Sequence, residues 1–202
     1  AAAVISCDAD ADLLDADNWQ MSEPVKFDPT WNGVEPYSSN GCIEGTVVVA
    51  PDGKLLEIMR YDMTKAQRKF GKVLAYEIDT SDPSAPIKYS RPVYMDGNHS
   101  KFVILKDETS GYYYSIISRI TKNEECNDRR LLSLVRSKEL DAFELVCDLY
   151  DFRESAALGE AGMQYVDFFI EGEDIYYLSR TAMNKAKNFH DANYSTFHTI
   201  KN

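Results

Sequence analysis

Apolar and polar residues alternate along most of the chain in short runs, and turn-forming residues separate these runs. Residues 43–50 and 54–61 are two such runs joined through Asp52-Gly53, a dipeptide typical of a tight β-hairpin. The pattern predicts strands at 43–50, 54–61, 72–79, 87–94, 101–107, 112–119, 131–137, 143–149, 164–170, 174–180 and 195–200. It therefore predicts an all-β protein.

The strands are grouped in a repeat, marked by an arginine that closes a β-rich run after a turn. Arg60, Arg119 and Arg180 occupy this position at intervals of about 60 residues. A repeat of this length made of short strands predicts a β-propeller with four-stranded antiparallel blades. Because equivalent positions of successive blades meet around one axis, the three guanidiniums could converge on one anionic ligand.

The repeat divides one propeller domain, residues 1–202, into blades. The opening segment resembles residues 131–146, with a strand, a serine, an Asp- and Leu-rich turn and an aromatic residue. We therefore expect the chain to begin at the third strand of a blade and to end on the third strand of another. The predicted units are the end of one blade at 1–30 and blades at 43–95, 100–150 and 163–202. They amount to about 3.5 blades, whereas closed rings have roughly 4–8.

The charge and hydrophobicity of the chain exclude some classes of binding partner. The net charge of −11 argues against nucleic acid or an anionic membrane as the main partner. No apolar run approaches the roughly 20 residues that span a bilayer. No signal peptide is recognisable, but the opening AAAVISCD is typical of a strand already under way, so we expect the natural chain to start earlier.

The sequence predicts no metal site and no cofactor. Its four cysteines, which lack metal-ligand spacing, are Cys7, Cys42, Cys126 and Cys147. We favour free thiols over disulfides, although four cysteines permit three pairings. The acidic run from Asp8 to Asp17 lacks the glycine and distal glutamate of an EF-hand and is better explained by turn and capping carboxylates.

Propeller topology sorts the polar residues by face. The starts of innermost strands, the ends of second strands and the connections between second and third strands share the top face. The candidates there are Glu44, Arg60, His99, Lys101, Arg119, Tyr165, Asp167, Arg180, His190 and Asp191. The long connection 181–194 supplies the last two, and long ordered loops are often functional.

Several segments resemble a known family. CIEGTVVVAPDGK resembles a blade motif of five-bladed propeller glycoside hydrolases. HSKF, QYVDFFIEGEDIYYLSRTA and FHDANYSTFHTI resemble secreted bacterial sialidase-like (BNR-repeat-like) propellers. The resemblance implies a glycosidase that cleaves an extracellular glycan, and a secreted or periplasmic location. It also implies that the chain is the carboxyl-terminal part of the ring.

In that family a glutamate at the start of the third blade's inner strand is the general acid, and Glu44 matches it. The base and a second aspartate come from blades one and two, so a missing amino-terminal half would supply them. Glycosidic cleavage needs two such groups. We add Asp167 and His190 as candidate catalytic residues, although Asp167 could instead hold sugar hydroxyls or pair with Lys101.

Residues expected to bind substrate are Arg60, His99, Lys101, Arg119, Tyr165, Arg180 and Asp191. The arginines have two explanations. They bind the carboxylate of an acidic sugar, or each pairs with an acid and locks the ring, which their repetition favours. A noncatalytic carbohydrate-binding propeller and a protein-binding scaffold are the alternatives to a hydrolase.

Overall fold

A computed structural model describes residues 1–35, 41–63, 71–122 and 127–201. Within these ranges the chain forms antiparallel β-sheets and one short 3-10 helix, Ala16–Asn18. The amino-terminal hairpin consists of β1 (Ile5–Ser6) and β2 (Gln20–Met21). The first sheet contains, in spatial order, β3 (Gly41–Val49), β4 (Leu55–Asp62), β5 (Gly71–Ile78) and β6 (Lys88–Met95).

The second and third sheets follow in chain order. The second sheet contains β7 (Ile104–Lys106), β8 (Tyr113–Ser118), β9 (Leu131–Ser137) and β10 (Glu144–Asp151). The third sheet contains β11 (Gly162–Glu171), β12 (Asp174–Ala182) and β13 (Tyr194–Ile200). In every sheet, strands adjacent in sequence are adjacent in space, which is the up-and-down order expected of propeller blades.

The strand predictions agree closely with these bounds, with one difference. The strand predicted at 101–107 is reduced to the three residues of β7. Just before β7, the carbonyl of Val103 accepts a hydrogen bond of 2.8 Å from the Ser115 hydroxyl. A side chain thus replaces the backbone partner that a longer strand would need there.

Apolar cores lie between successive sheets. Val48, Ile58 and Val73 of the first sheet pack in one buried cluster with Ile117 and Val135 of the second. Ile116, Leu132 and Leu134, also of the second sheet, join Met163, Val166 and Phe168 of the third in another cluster. Since each buried side chain contributes about 1.5–3 kcal/mol, these two interfaces fix the order of the three sheets.

The two outer faces of this stack differ. The amino-terminal segment covers the first sheet, where Trp31 stacks on Tyr89 with ring centroids 4.6 Å apart. The outer side of the third sheet exposes Phe169, Leu178 and Phe197, which are 52%, 49% and 63% accessible. We call these three residues, together with Tyr176, the open face. In the part of the chain that the structure describes, the stack is thus covered at the first sheet and uncovered at the third.

Three other sequence features have a direct structural description. The carboxylates of Asp12 and Asp15 accept backbone N–H groups of Leu14 and Asp17 at 3.0 Å, which agrees with the turn and capping interpretation. Cys7, Cys42 and Cys147 carry free thiols, and Cys126 lies outside the described residues. No helix in the described ranges is long and apolar enough to cross a membrane.

Candidate functional site

Two β-bulges define the candidate site, one in the first sheet and one in the third. In β3, the extra residue is Glu44, between the pairs Ile43–Arg60 and Gly45–Met59. In β11, one extra residue lies between the pairs Gln164–Arg180 and Asp167–Leu178. Glu44 and Tyr165 both have φ 54°, in the left-handed region. In each case the residue just before the bulge pairs with an arginine on the next strand: Ile43 pairs with Arg60, and Gln164 pairs with Arg180.

This backbone conformation is costly for residues with large side chains. A non-glycine residue in the left-handed region loses about 1–2 kcal/mol. Strained residues of this kind persist where the surroundings hold them, and they cluster at functional sites. The residue after Glu44 is glycine, and a Cβ on Gly45 would lie 2.6 Å from the Glu57 carboxylate, so a larger residue there would displace that side chain. The matching backbone conformations of Glu44 and Tyr165 make both candidates for the site.

Arg60 joins the two bulges. Its Nη1 donates to the Glu44 carboxylate at 2.7 Å and lies 3.5 Å from the Tyr165 hydroxyl. The two partners belong to sheets that the second sheet separates, so this contact brings together residues from across the fold. The side chains of Arg60 and Glu44 are only 16% and 29% exposed, which strengthens the ion pair relative to one at the surface.

A second guanidinium lies beside this pair and was not among the sequence candidates. Arg129 is 4% exposed, donates to Gln164 Oε1 at 2.8 Å and also donates to the His99 carbonyl. Burial, together with the nearby charges of Arg60 and Arg180, lowers the pKa of Arg129 to about 10. A shift with these causes means that several guanidiniums share one poorly solvated region.

A third guanidinium belongs to Arg180, the cross-strand partner of Gln164. Its Cζ lies 4.9 Å from the centroid of the Tyr165 ring, and its Nη2 donates to the His190 carbonyl at 2.8 Å. We call Glu44, Arg60, Arg129, Tyr165 and Arg180 the arginine cluster. Three guanidiniums and one carboxylate give it an excess of positive charge within a chain of net charge −11. Such a cluster suits an anionic ligand.

Arg119 has a different place, so the repeated arginines do not all converge. Its Nη2 contacts both Asp148 oxygens at 2.7 and 2.8 Å, and its Nε donates to Ser133 at 3.0 Å. Asp148 lies on β10, the last strand of the second sheet. Arg119 therefore pairs with an acid of its own sheet, as in the second explanation for the arginines. Arg129, which lies outside the repeat, joins Arg60 and Arg180 in the cluster.

His190 and Asp191 lie at the edge of the cluster on the loop between β12 and β13. The two side chains contact each other, with His190 Nδ1 3.1 Å from Asp191 Oδ1, and the imidazole is 64% exposed. Hydrogen bonds from His190, then Asn188 and Lys187, lower the pKa of Asp191 to about 2. Arg180 contacts the backbone carbonyl of His190, whereas the imidazole pairs with Asp191 and is largely exposed.

The remaining candidates contribute less directly. His99 is buried, and its carbonyl rather than its ring receives Arg129. Lys101 is partly buried just before β7. Asp167 is exposed, and its carboxylate accepts the backbone N–H of Phe168 at 3.0 Å. Within the described ranges, no group of three or more His, Cys, Asp or Glu side chains could hold a metal ion.

No protein-family model matches this sequence, and no curated protein sequence is similar to it. Solved structures are similar in fold. The sialidase of Trypanosoma rangeli in complex with sialic acid superposes with a TM-score of 0.55 at 18% identity, over 93% of this chain and 26% of that one. The intramolecular trans-sialidase of Ruminococcus gnavus in complex with oseltamivir carboxylate gives 0.51 at 13% identity, over 92% and 36%.

An α-L-arabinofuranosidase of Fusarium graminearum is also similar, with a TM-score of 0.46 at 10% identity, over 68% of this chain and 40% of that one. The chain therefore spans between about a quarter and two fifths of the length of these three proteins. The likeness to the two sialidases confirms the predicted fold class: the chain has the β-propeller fold found in these two enzymes.

Proposed function

We propose that the arginine cluster is part of the active site of a glycoside hydrolase that cleaves a sugar bearing a carboxylate. In this proposal Tyr165 is the nucleophile, Glu44 is its general base, and Arg60 and Arg129 bind the sugar carboxylate. The observation that carries the proposal is the position of Arg60 Nη1, which contacts both the Glu44 carboxylate and the Tyr165 hydroxyl.

The chemistry proceeds in two displacements. The Tyr165 oxygen attacks the anomeric carbon and gives its proton to Glu44, while the bond to the leaving oxygen breaks. That oxygen takes a proton from a general acid. Water then attacks the anomeric carbon and gives a proton to the general acid that the first step deprotonated, while the bond to Tyr165 breaks and the phenolic oxygen recovers its proton from Glu44. Most glycosidases use a carboxylate nucleophile, but sialidases use a tyrosine, and two displacements retain the anomeric configuration.

A phenol suits a negatively charged sugar. A carboxylate nucleophile would be repelled by the carboxylate of the substrate in a site of low dielectric. A phenol approaches as a neutral group and loses its proton only as it attacks. Glu44, which takes that proton, is paired with Arg60, and the guanidinium offsets its negative charge. The cluster thus places one neutral nucleophile and one paired base beside several guanidiniums.

In this proposal Glu44 has a different role from the one that the family resemblance implied. Its carboxylate and the Tyr165 hydroxyl lie beside the same guanidinium nitrogen, at 2.7 and 3.5 Å from Arg60 Nη1, which places Glu44 next to the nucleophile as its base. We therefore assign the acid that protonates the leaving oxygen to a group other than Glu44.

We propose that a further sheet supplies this acid and covers the open face. Phe169, Leu178 and Phe197 expose apolar surface of the kind that the other sheets bury against a neighbour. A sheet packed there would continue the stack and place new side chains around the axis. Such a sheet corresponds to the amino-terminal half that the family resemblance implies.

His190 and Asp191 are assigned in this proposal to the leaving-group side of the site. The exposed imidazole and its carboxylate partner can exchange hydrogen bonds with sugar hydroxyls. Sialic acid, the ligand of the trypanosome sialidase, carries the carboxylate that the cluster would bind. A glycan ending in such a sugar is displayed outside cells, so the proposal also places the protein in a secreted or periplasmic location.

The test compares two arginine variants in the full-length protein that contains this chain. The substrates are the 4-methylumbelliferyl glycosides of sialic acid and of galactose. We expect only the first to be hydrolysed. Arg60→Met should lower kcat/KM by about 10- to 100-fold or more, since a hydrogen bond to a charged group contributes about 1.5–3 kcal/mol. The matched control Arg119→Met, whose partner is Asp148, should leave activity within about twofold.

Other outcomes would replace the proposal. Equal cleavage of both glycosides would show that no carboxylate is recognised. Saturable glycan binding without hydrolysis, unchanged by Glu44→Gln, would favour a noncatalytic binding propeller. Loss of activity in both arginine variants would show that the arginines act through the fold.

A further inference from the structure

Arg180 contacts the Tyr165 ring with its guanidinium, and this contact suggests a specific task. We propose that Arg180 is a positioning residue for the nucleophile and that the loop 183–193 holds it in place. The inference rests on the proposed function, because it assigns a role relative to Tyr165. It adds a part of the site that lies away from the sugar carboxylate.

Tyr165 needs neighbouring residues to hold its ring in place. The left-handed backbone at this bulge is unfavourable, so the ring keeps its direction only if neighbours hold it. The guanidinium of Arg180 lies over the ring at 4.9 Å, within the range of cation–π attraction. The Tyr165 hydroxyl in turn lies near Arg60. One arginine thus holds the ring and another faces the reactive oxygen.

Hydrogen bonds attach Arg180 to the loop. Arg180 and its cross-strand partner Gln164 both donate to the His190 carbonyl, at 2.8 and 3.2 Å. Gln164 also donates to the Phe189 carbonyl at 2.7 Å and accepts from Arg129. The pair next to the bulge is therefore fixed to the loop by several hydrogen bonds, which limits how far Arg180 can move from the ring.

The loop is also held together by hydrogen bonds of its own. Asn193 closes its two ends, accepting from Met183 N at 3.2 Å and donating to Met183 O at 2.9 Å. Within the loop, Asn188 and Asp191 exchange two hydrogen bonds of 3.0 and 2.8 Å. A loop tied in this way presents the His190 carbonyl at a fixed place, and that carbonyl sets the position of Arg180.

A comparison with the other bulge supports the assignment. Arg60 occupies the same position relative to Glu44 as Arg180 does relative to Tyr165, next to the extra residue on the paired strand. Arg60 holds its bulge residue by an ion pair, which a tyrosine cannot form. In the third sheet the loop carbonyl takes the place of the carboxylate as hydrogen-bond acceptor, and the ring takes the contact with the guanidinium.

The experiment measures kcat and KM for the sialic acid glycoside in Arg180→Met and Arg180→Lys. Arg180→Met should lower kcat by about 100-fold, the loss expected when a reacting group is misplaced by about 1 Å, and leave KM within about threefold. Arg180→Lys should recover part of kcat, since it keeps the cation but lacks the planar fork. The control is Arg136→Met, which removes a similar contact 4.4 Å from the Tyr112 ring in the second sheet.

A second variant tests the loop without touching Arg180. Asn193→Ala should lower kcat in the same direction, and combining it with Arg180→Met should add little, because both act through one contact. An unchanged kcat in Arg180→Met, or a raised KM with unchanged kcat, would overturn the inference. Full activity of Tyr165→Phe would instead overturn the proposed function, so the two failures are distinguishable.

Discussion

Replacing Tyr165 by phenylalanine is expected to abolish hydrolysis while substrate binding survives. The change removes one oxygen and leaves the ring under Arg180, so the bulge and its stacking contact are retained. If that oxygen is the nucleophile, kcat should fall by about 10⁴-fold or more, as nucleophile removal in another hydrolase costs about 10⁶. Steady-state kinetics give the loss of kcat, and titration calorimetry with sialic acid gives the retained affinity.

The matched control is Tyr112→Phe in the second sheet. Tyr112 also lies under a guanidinium, that of Arg136, but has no contact with the arginine cluster among the described residues. It should keep full activity. A Tyr165→Phe protein that retained a tenth or more of the wild-type kcat would remove Tyr165 from the nucleophile role.

The covalent intermediate offers direct evidence for the same step. A fluorinated glycosyl fluoride of the acidic sugar should form a stable adduct, because the fluorine beside the anomeric centre slows its hydrolysis. Peptide mass spectrometry should then locate the added mass on Tyr165. An adduct on Glu44 instead would show a carboxylate nucleophile and would reverse the two roles.

Much of the fold was accessible from the sequence because its signals are local. Alternation along each strand and turn residues such as Asp52-Gly53 fix strand positions within a few residues. The repeated arginine pattern picked out Arg60 and Arg180, whose charges both act on Arg129. Both positions follow from strand order alone, because the ends of second strands meet at the same face of the ring.

The rest of the site depends on contacts between distant parts of the chain. A β-bulge adds one residue without changing the alternation on either side, so nothing local showed that Glu44 and Tyr165 adopt equivalent conformations. Arg129 precedes a third strand and therefore fell outside the repeat pattern. Its role depends on Gln164, 35 residues away, and no spacing rule connects the two.

Arg119 has a different partner. Its position in the repeat matches that of Arg60 and Arg180, yet its guanidinium forms an ion pair with an acidic residue on β10. Arg119 differs from Arg60 and Arg180 because Asp148, on the last strand of the second sheet, is its ion-pair partner. A repeated residue thus has its position fixed by the fold, whereas its task depends on the partner that each sheet supplies.

The second large effect concerns Glu57, whose carboxyl group should make stability depend on pH. Glu57 lies on β4, is 7% exposed, and its Oε2 has no hydrogen-bond partner among the described residues. Burial raises its pKa from 4.5 to about 7. The cysteine thiol and tyrosine hydroxyl that interact with it, those of Cys42 and Tyr76, supply no positive charge.

The sign follows from proton binding. Between pH 4.5 and about 7 the folded carboxyl holds a proton that the unfolded one has released. The free energy of unfolding therefore falls as pH rises through this window, and the penalty is complete above about pH 7. A shift of this size corresponds to about 3 kcal/mol. Urea denaturation at pH 5 and pH 8 should show this loss in the wild-type protein.

Glu57→Gln should remove most of the difference, since glutamine cannot ionise. The variant should match the wild type near pH 5 and exceed its unfolding free energy by about 3 kcal/mol at pH 8. The control is Glu77→Gln on β5, where the ion pair with Lys54 lowers the pKa of the carboxyl and the pH effect has the opposite sign. It should retain the loss of stability between pH 5 and pH 8. An equal loss in Glu57→Gln would mean that other groups cause it, and that Glu57 gains water or a counter-charge when it ionises.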